Sequence, residues 1–351
     1  MTRHPVRLLL IVALLLLPAG ALAACGDDEG GGSGSSATSA AAAPAGKSAF
    51  PVTIPHKFGE TTIEAAPERV VVAGLREQDS LLALGVVPVA TTEWFGEHPG
   101  AIFPWAREAL GDAPEPEVLD YTDGIQYERI AAQQPDLILA IYSGLTQKDY
   151  DTLSKIAPVV AQPPGQVDWG SSWQEELLTT GKAVGKPEEA QQLHDEAAGQ
   201  IAAAAKANPE FKGQTAAVTS AYQGVWVYGV NDARSRLIED LGFTFPDSLA
   251  EIGKDDFGAQ LSDEKLDLLD LGAVLWFANP GPAEELRKDP VYGKLAVRKE
   301  GRDIFMAEEG DLYEAISFIS PLSIPMLMDE LVPQLAAAAD GDPATKPEDA
   351  A

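Results

Sequence analysis

The residues best suited to chemistry stand where short apolar runs end, and their types favour holding a ligand over breaking bonds. Arg76 directly follows the β-branched run 69–75 (RVVVAGL), Trp94 follows 86–91 (VVPVAT), and Tyr142 closes 136–142 (DLILAIY). Farther along, Tyr222, Trp226 and Tyr228 lie in or beside a pair of short apolar runs. Trp276 stands in 273–278 (AVLWFA), and Arg234 and Arg236 open a helical stretch, of which Arg236 is taken as the candidate. A guanidinium pairs with anionic oxygens through a planar fork and stacks on aromatic faces. In open α/β sheets the ligand crevice lies beyond the carboxyl ends of the strands. Arg76, Trp94, Tyr142, Tyr222, Trp226, Tyr228, Arg236 and Trp276 are therefore the candidate ligand-binding set. Arg76 leads it, because a strand-end arginine in a loop has no core to join. Phe95 and Phe277 are expected to fill packing space instead.

The signatures of catalysis and of a protein-held metal are missing from the sequence. It has no G-x-S-x-G elbow, no Walker-type loop and no H-E-x-x-H helix, and the glycine-rich run 30–34 follows no strand. No catalytic residue and no cofactor is expected. Beyond the first 24 residues the only histidines are His56, His98 and His194, and the only cysteine is Cys25, too few for a converging metal site. His98, just before Pro99, could approach a ligand from its loop, while His194 belongs to a solvated helix face.

Alternating elements must position these residues. A strand at 69–75, a helix at 77–84 closed by Gly85, a strand at 86–91, a short helix at 127–134, a strand at 136–142, a helix at 148–156 and a strand at 158–162 follow in order. Near-continuous apolar strands separated by helices predict a parallel sheet covered on both faces. The second half repeats the style, with strands at 215–220, 225–229, 273–278 and 303–307 and helices at 233–241 and 262–271. Between the halves, 187–207 (PEEAQQLHDEAAGQIAAAAKA) has Pro at its start, acids in its first turn and strong helix formers after. At 1.5 Å per residue it spans about 31 Å. The expected fold is α/β, with two parallel-sheet α/β lobes joined by one long helix.

Composition sets the remaining bounds. The 351 residues carry 54 acids against 25 bases, a formal charge of −29, which argues against nucleic-acid binding. Arg3 and Arg7, the apolar run 8–17 and Leu22-Ala23-Ala24-Cys25 describe an export signal too short to span a membrane. The signal resembles a bacterial lipobox, in which the cysteine is acylated. The predicted organisation is a lipoprotein signal peptide over 1–24, lipidation at Cys25 and a flexible low-complexity tether over 25–48. An N-terminal lobe over 49–171, a helical region over 172–210, a C-terminal lobe over 211–340 and a polar tail over 341–351 follow. A coil of about 20 residues reaches roughly 25 Å, enough to let a folded body move over the outer face of the cytoplasmic membrane.

Several segments, in this order and spacing, resemble the class III periplasmic binding proteins. They are Pro67-Glu68-Arg69-Val70-Val71-Val72, Leu84-Gly85-Val86-Val87-Pro88-Val89, Tyr127-Glu128-Arg129-Ile130, Gln134-Pro135-Asp136-Leu137-Ile138-Leu139, Leu153-Ser154-Lys155-Ile156-Ala157-Pro158-Val159 and Glu239-Asp240-Leu241-Gly242-Phe243. Leu261-Ser262-Asp263-Glu264-Lys265-Leu266, the stretch 290–295 and Gly301-Arg302-Asp303-Ile304 complete the pattern, which covers about residues 50–338. The resemblance implies the substrate-binding subunit of an ABC importer for a ferric siderophore, with haem or cobalamin as alternative ligands. It also implies a rigid linking helix, a ligand cleft between the lobes, a monomer that delivers to a permease with its ATPase, and iron that arrives already wrapped in a chelator. Aromatics would stack on the chelator's organic shell, and an arginine would meet the oxygens around the iron. Glu128 and Glu264 match the surface glutamates with which each lobe of such proteins docks on the permease. An enzyme, or a surface lipoprotein that has lost transport, are the competing classes.

Overall fold

The computed structural model describes residues 49–122, 124–221, 223–308, 310–342 and 344–347. The signal 1–24, Cys25, the tether 25–48, Tyr222 and the last four residues of the tail lie outside the described residues.

The first sheet grows from a run of valines. β3 (Val70–Val72) is buried on both faces, which only a central strand covered by helices allows. It pairs in parallel with β4 (Ala90–Thr92) on one side and β6 (Leu137–Ala140) on the other. β5 (Glu117–Leu119) and β7 (Val159–Ala161) complete the order β5-β4-β3-β6-β7. The chain therefore reverses its direction of growth between β3 and β6, and the crevice of an open α/β sheet forms at such a switch point. Arg76 and Tyr142 follow those two strands. A hairpin that the hydrophobic pattern did not reveal precedes the sheet: β1 (Val52–His56) pairs antiparallel with β2 (Gly59–Ile63). It docks on β7 through the Thr61 hydroxyl, which donates to the Val159 carbonyl at 2.6 Å.

The second sheet has the order β10-β9-β8-β11-β12, from β8 (Ala216–Ser220), β9 (Val225–Tyr228), β10 (Gly258–Leu261), β11 (Ala273–Phe277) and β12 (Asp303–Met306). β8, β11 and β12 are parallel, while β9 and β10 add an antiparallel edge. The connection from Ser220 to Val225 is too short for a crossover, so β8 and β9 can only form a hairpin. Its switch point falls between β8 and β11.

The connection between the lobes is a pair of helices. Trp173–Ala183 begins with a capping box between Ser172 and Glu175, and Pro187–Ala207 starts on its proline, as the sequence predicts. Gly185, at φ +74°, and Pro187 separate the two. Gly181 lets them close, since a Cβ there would lie 2.3 Å from that of Ala190. Ala190, Ala197 and Ile201 form the buried stripe of the second helix. The stretch 262–271, expected as a helix, is a tighter 3-10 coil over Asp263–Leu269.

The segment 211–340 also packs on first-lobe residues. The helix Asp311–Phe318 crosses back, and the Phe318 ring packs 4.3 Å from that of Phe103 in the first lobe. Two residues on, the Ser320 hydroxyl donates to Asp79 at 2.6 Å. One apolar cluster accordingly runs from Val70 and Leu139 through Leu177 and Ile201 to Leu275 and Leu335. Among the described residues no helix is long and apolar enough to cross a membrane.

A candidate ligand cleft between the lobes

A cleft of about 1210 Å³ opens at the carboxyl ends of both sheets, lined by Trp94, Phe95, Tyr142 and Trp169 from one side and Tyr228, Phe257 and Tyr313 from the other. The Trp169 ring owes its place to a glycine and to unusual backbone. A Cβ on Gly144 would lie 2.4 Å from the Trp169 ring, so only glycine fits beneath it. Trp169 itself sits at φ +54°, a left-handed conformation seldom adopted by bulky residues. Its ring meets Phe257 of the opposite lobe edge-on at 5.7 Å.

Among the many polar groups lining the cleft, two donors are held in fixed orientations. Tyr142 is 1% exposed, and its hydroxyl borders the cleft with no hydrogen-bond partner among the described residues. Arg234 is held by its own neighbour: the Asp232 carboxylate caps the helix Ala233–Asp240 by accepting from the Arg234 backbone N–H. The same carboxylate accepts from Nε and Nη2 of Arg234, both at 2.7 Å. The guanidinium lies 4.0 Å above the Tyr228 ring, and its Nη1 has no partner among the described residues. Burial pushes the phenols of Tyr142 and Tyr228 above the usual tyrosine range, so both remain hydroxyl donors at neutral pH. At one end of the cleft His98 Nε2 meets Glu314 at 3.0 Å, and burial raises that carboxyl while the imidazole partly offsets it.

Of the residues singled out in the sequence, Trp94, Tyr142 and Tyr228 line this cleft together. Arg76, the leading candidate, is not among the lining residues. It is 1% exposed, its Nε donates to Glu176 at 2.6 Å, and Nη2 donates to the Ser171 carbonyl at 2.7 Å. Its guanidinium lies 3.8 Å from the Tyr142 ring centre, so it supports that ring without lining the cleft itself. A partner did exist for a strand-end arginine: a glutamate 100 residues away. Trp276 is a core residue, fully buried with its indole N–H donated to the Tyr292 hydroxyl at 2.7 Å. Trp226 backs Phe257 at 5.4 Å and stays behind the lining. Arg236 turns away to donate to the Gly170 carbonyl at 2.9 Å. Residues two apart on a helix point roughly 200° apart, so only one of Arg234 and Arg236 could face the cleft, and it is Arg234. Phe277 packs in the core as expected, whereas Phe95 and His98 reach the lining.

Beneath the first-lobe wall lies a cluster of buried acids. Glu77 accepts backbone N–H groups of Arg76, Ile141 and Tyr142, tying the end of β3 to the end of β6. Gly74 must be glycine because a Cβ there would lie 2.0 Å from the Glu77 carboxylate. Burial, then the neighbouring Glu176, raises Glu77 above the usual carboxylate range. Burial pushes Asp79 up to about 7, although the Ser320 hydroxyl and the Trp105 indole donate to it. Among the described residues no three His, Cys, Asp or Glu side chains are grouped to hold a metal ion.

Two α/β lobes enclosing an aromatic cleft at their switch points are the architecture of a two-lobed solute receptor. The family model for periplasmic binding proteins matches residues 70–309, and the chain belongs to that family. A periplasmic solute binding protein from Mycobacterium smegmatis str. MC2 155 is 36% identical. The match covers 82% of this chain and 98% of that one, with a TM-score of 0.71. PiaA of Streptococcus pneumoniae TIGR4, solved in complex with ferrichrome, is 31% identical over 82% of this chain and 98% of its own, with a TM-score of 0.74. The "Putative ABC transporter substrate-binding lipoprotein YhfQ" of Bacillus subtilis (strain 168) is 33% identical over 39% of this chain. That alignment spans 41% of its length, less than half.

Proposed function

We propose that this protein captures a ferric siderophore in the cleft and hands it to the permease of an ABC importer, binding its ligand without transforming it. The observation that carries this reading is the cleft itself, where donors without partners, the Tyr142 hydroxyl and Arg234 Nη1, stand among aromatic walls. Hydroxyl and guanidinium donors suit the oxygens that surround a chelated ferric ion, and the rings suit the organic shell. The ferrichrome complex of the PiaA relative supports the ligand class. The lipoprotein name of YhfQ supports an anchor, which here would be Cys25 at the outer face of the cytoplasmic membrane.

Docking would fall to Glu128 and Glu264. Each is exposed in the first turn of its helical segment, without a partner among the described residues, while Ile130, Leu266 and Leu269 beneath them are buried. With so many acids on the chain, removing two barely alters the long-range field, so a large effect must be local. The variant Glu128→Ala with Glu264→Ala is expected to keep ligand affinity and thermal stability while uptake of the iron-loaded siderophore falls. Normal uptake at equal protein level would assign docking to other residues.

A further inference from the structure

Trp169 is held in a conformation that its own backbone disfavours, and part of what holds it comes from the other lobe. A bulky residue at φ +54° is strained and persists only where its surroundings fix it. Within the first lobe its N–H donates to the Ser143 carbonyl at 3.3 Å, and its ring lies directly over Gly144, where a Cβ would stand 2.4 Å away. The second lobe adds two more restraints. Arg236 Nη1 donates to the carbonyl of the next residue, Gly170, at 2.9 Å, and the Phe257 ring meets the indole edge-on at 5.7 Å.

Both second-lobe groups are anchored in their own lobe. The Phe257 carbonyl accepts from the Gly229 N–H at 2.8 Å, beside the end of β9, and Trp226 backs its ring at 5.4 Å. Arg236 belongs to the helix Ala233–Asp240, capped by Asp232. Trp169 and Phe257 line the cleft from opposite sides, and rings in edge-on contact leave no passage between them. Parting the lobes removes the Arg236 bond and the Phe257 contact together, and the indole can then relax from its left-handed backbone. We propose, resting on the siderophore reading of this cleft, that Arg236 is a positioning residue: through the Gly170 carbonyl it holds Trp169 against Phe257 as a gate between the lobes, and opening that gate sets how fast a ligand enters and leaves. Arg236 and Trp226, neither of which lines the cleft, thereby act on it through Trp169 and Phe257.

The first arm of the test needs no ligand. With 5-fluorotryptophan incorporated, the Trp169 fluorine resonance is assigned by its absence in Trp169→Phe. In Arg236→Gln that resonance should shift or broaden, while the one from Trp276, buried in the second-lobe core, stays in place. Arg236→Lys, which can still donate to the carbonyl, should restore it in part. Gly144→Ala pushes on the same ring from the first lobe without touching Arg236 and should move the same resonance. A Trp169 resonance unmoved in Arg236→Gln would overturn the clamp. The second arm follows ferrioxamine B by stopped-flow tryptophan quenching. Loss of one charge-assisted hydrogen bond should speed release about tenfold. Entry should accelerate as well, because binding no longer waits for the gate, whereas losing a plain ligand contact acts on release alone. Faster release with unchanged entry would overturn the gate. If no ferric chelate binds while the fluorine shift is intact, the siderophore reading fails and the clamp stands, and haemin or cobalamin then serves for the same rate measurement.

Discussion

The two sides of the cleft use the same three groups in different ways. In the first lobe Arg76 lies 3.8 Å from the Tyr142 ring and pairs with Glu176, and in the second Arg234 lies 4.0 Å from the Tyr228 ring and pairs with Asp232. The chemistry is alike, but the order of the layers is reversed. Arg76 stands behind its tyrosine, joined to the inter-lobe helix, and never reaches the cleft. Arg234 reaches the lining beside its tyrosine and keeps Nη1 open to it. A guanidinium stacked on a ring therefore stands behind the cleft wall or forms part of it, according to which of the two lies nearer the cleft.

The largest effect should come from breaking the scaffold. Arg76→Ala leaves Glu176 buried without its cation, which typically costs about 3–5 kcal/mol. A fall of about five to eight degrees in the melting temperature is expected for a chain of this size. Thermal unfolding followed by circular dichroism would show it, and a shift of only a degree or two would mean that Arg76 is not the support described.

The acids beneath the first lobe give stability a pH dependence, led by Asp79. Asp79 has a folded pKa of about 7 against an ordinary 3.8, so the folded state binds the extra proton. Its contribution is fully present below about pH 4 and is lost as pH rises through 7, at up to about 1.4 kcal/mol per pH unit. Stability should consequently increase from pH 8 to pH 5. Asp79→Asn, which mimics the protonated acid, should flatten that slope without abolishing it, because Glu77 is raised too. Equal slopes for wild type and variant, in urea titrations across that range, would remove Asp79 as the source.

Lysine replacements sharpen the contrast between the arginines. Arg234→Lys keeps a cation for Asp232 but removes the Nη1 donor, and ligand affinity should fall by about ten- to a hundredfold, the value of a hydrogen bond to a charged group. Arg76→Lys should leave affinity within about threefold, since no atom of Arg76 borders the cleft. Equal losses in calorimetric titrations would place both residues at the ligand. Smaller still, Tyr142→Phe should weaken binding by about 0.5–1.5 kcal/mol and leave the melting temperature unchanged, because its hydroxyl has no partner to lose.

The elements were legible in the sequence wherever burial on both faces left an unbroken apolar run, as at Val70–Val72 and Leu137–Ala140, or where a proline and two acids opened the helix at Pro187. The hairpin β1–β2 was not, because VTIPH and GETTI carry too few apolar residues and one internal proline. The cleft was legible in its location and partly in its lining. Tyr142 and Trp94 follow from strand ends, but whether Arg76 or Arg234 reaches the lining depends on partners 100 and 2 residues away. Trp169 and Phe257 lie in loops whose conformation no periodicity encodes.

The central claim is that a ferric siderophore sits between the lobes against Trp94 and Trp169. Titrating the folded protein with ferrioxamine B while following tryptophan emission tests it most directly. Saturable quenching is predicted, largely abolished in Trp94→Phe with Trp169→Phe while dialysis still detects bound iron chelate. Quenching that is undiminished in that double variant would place the ligand elsewhere on the molecule and contradict the account.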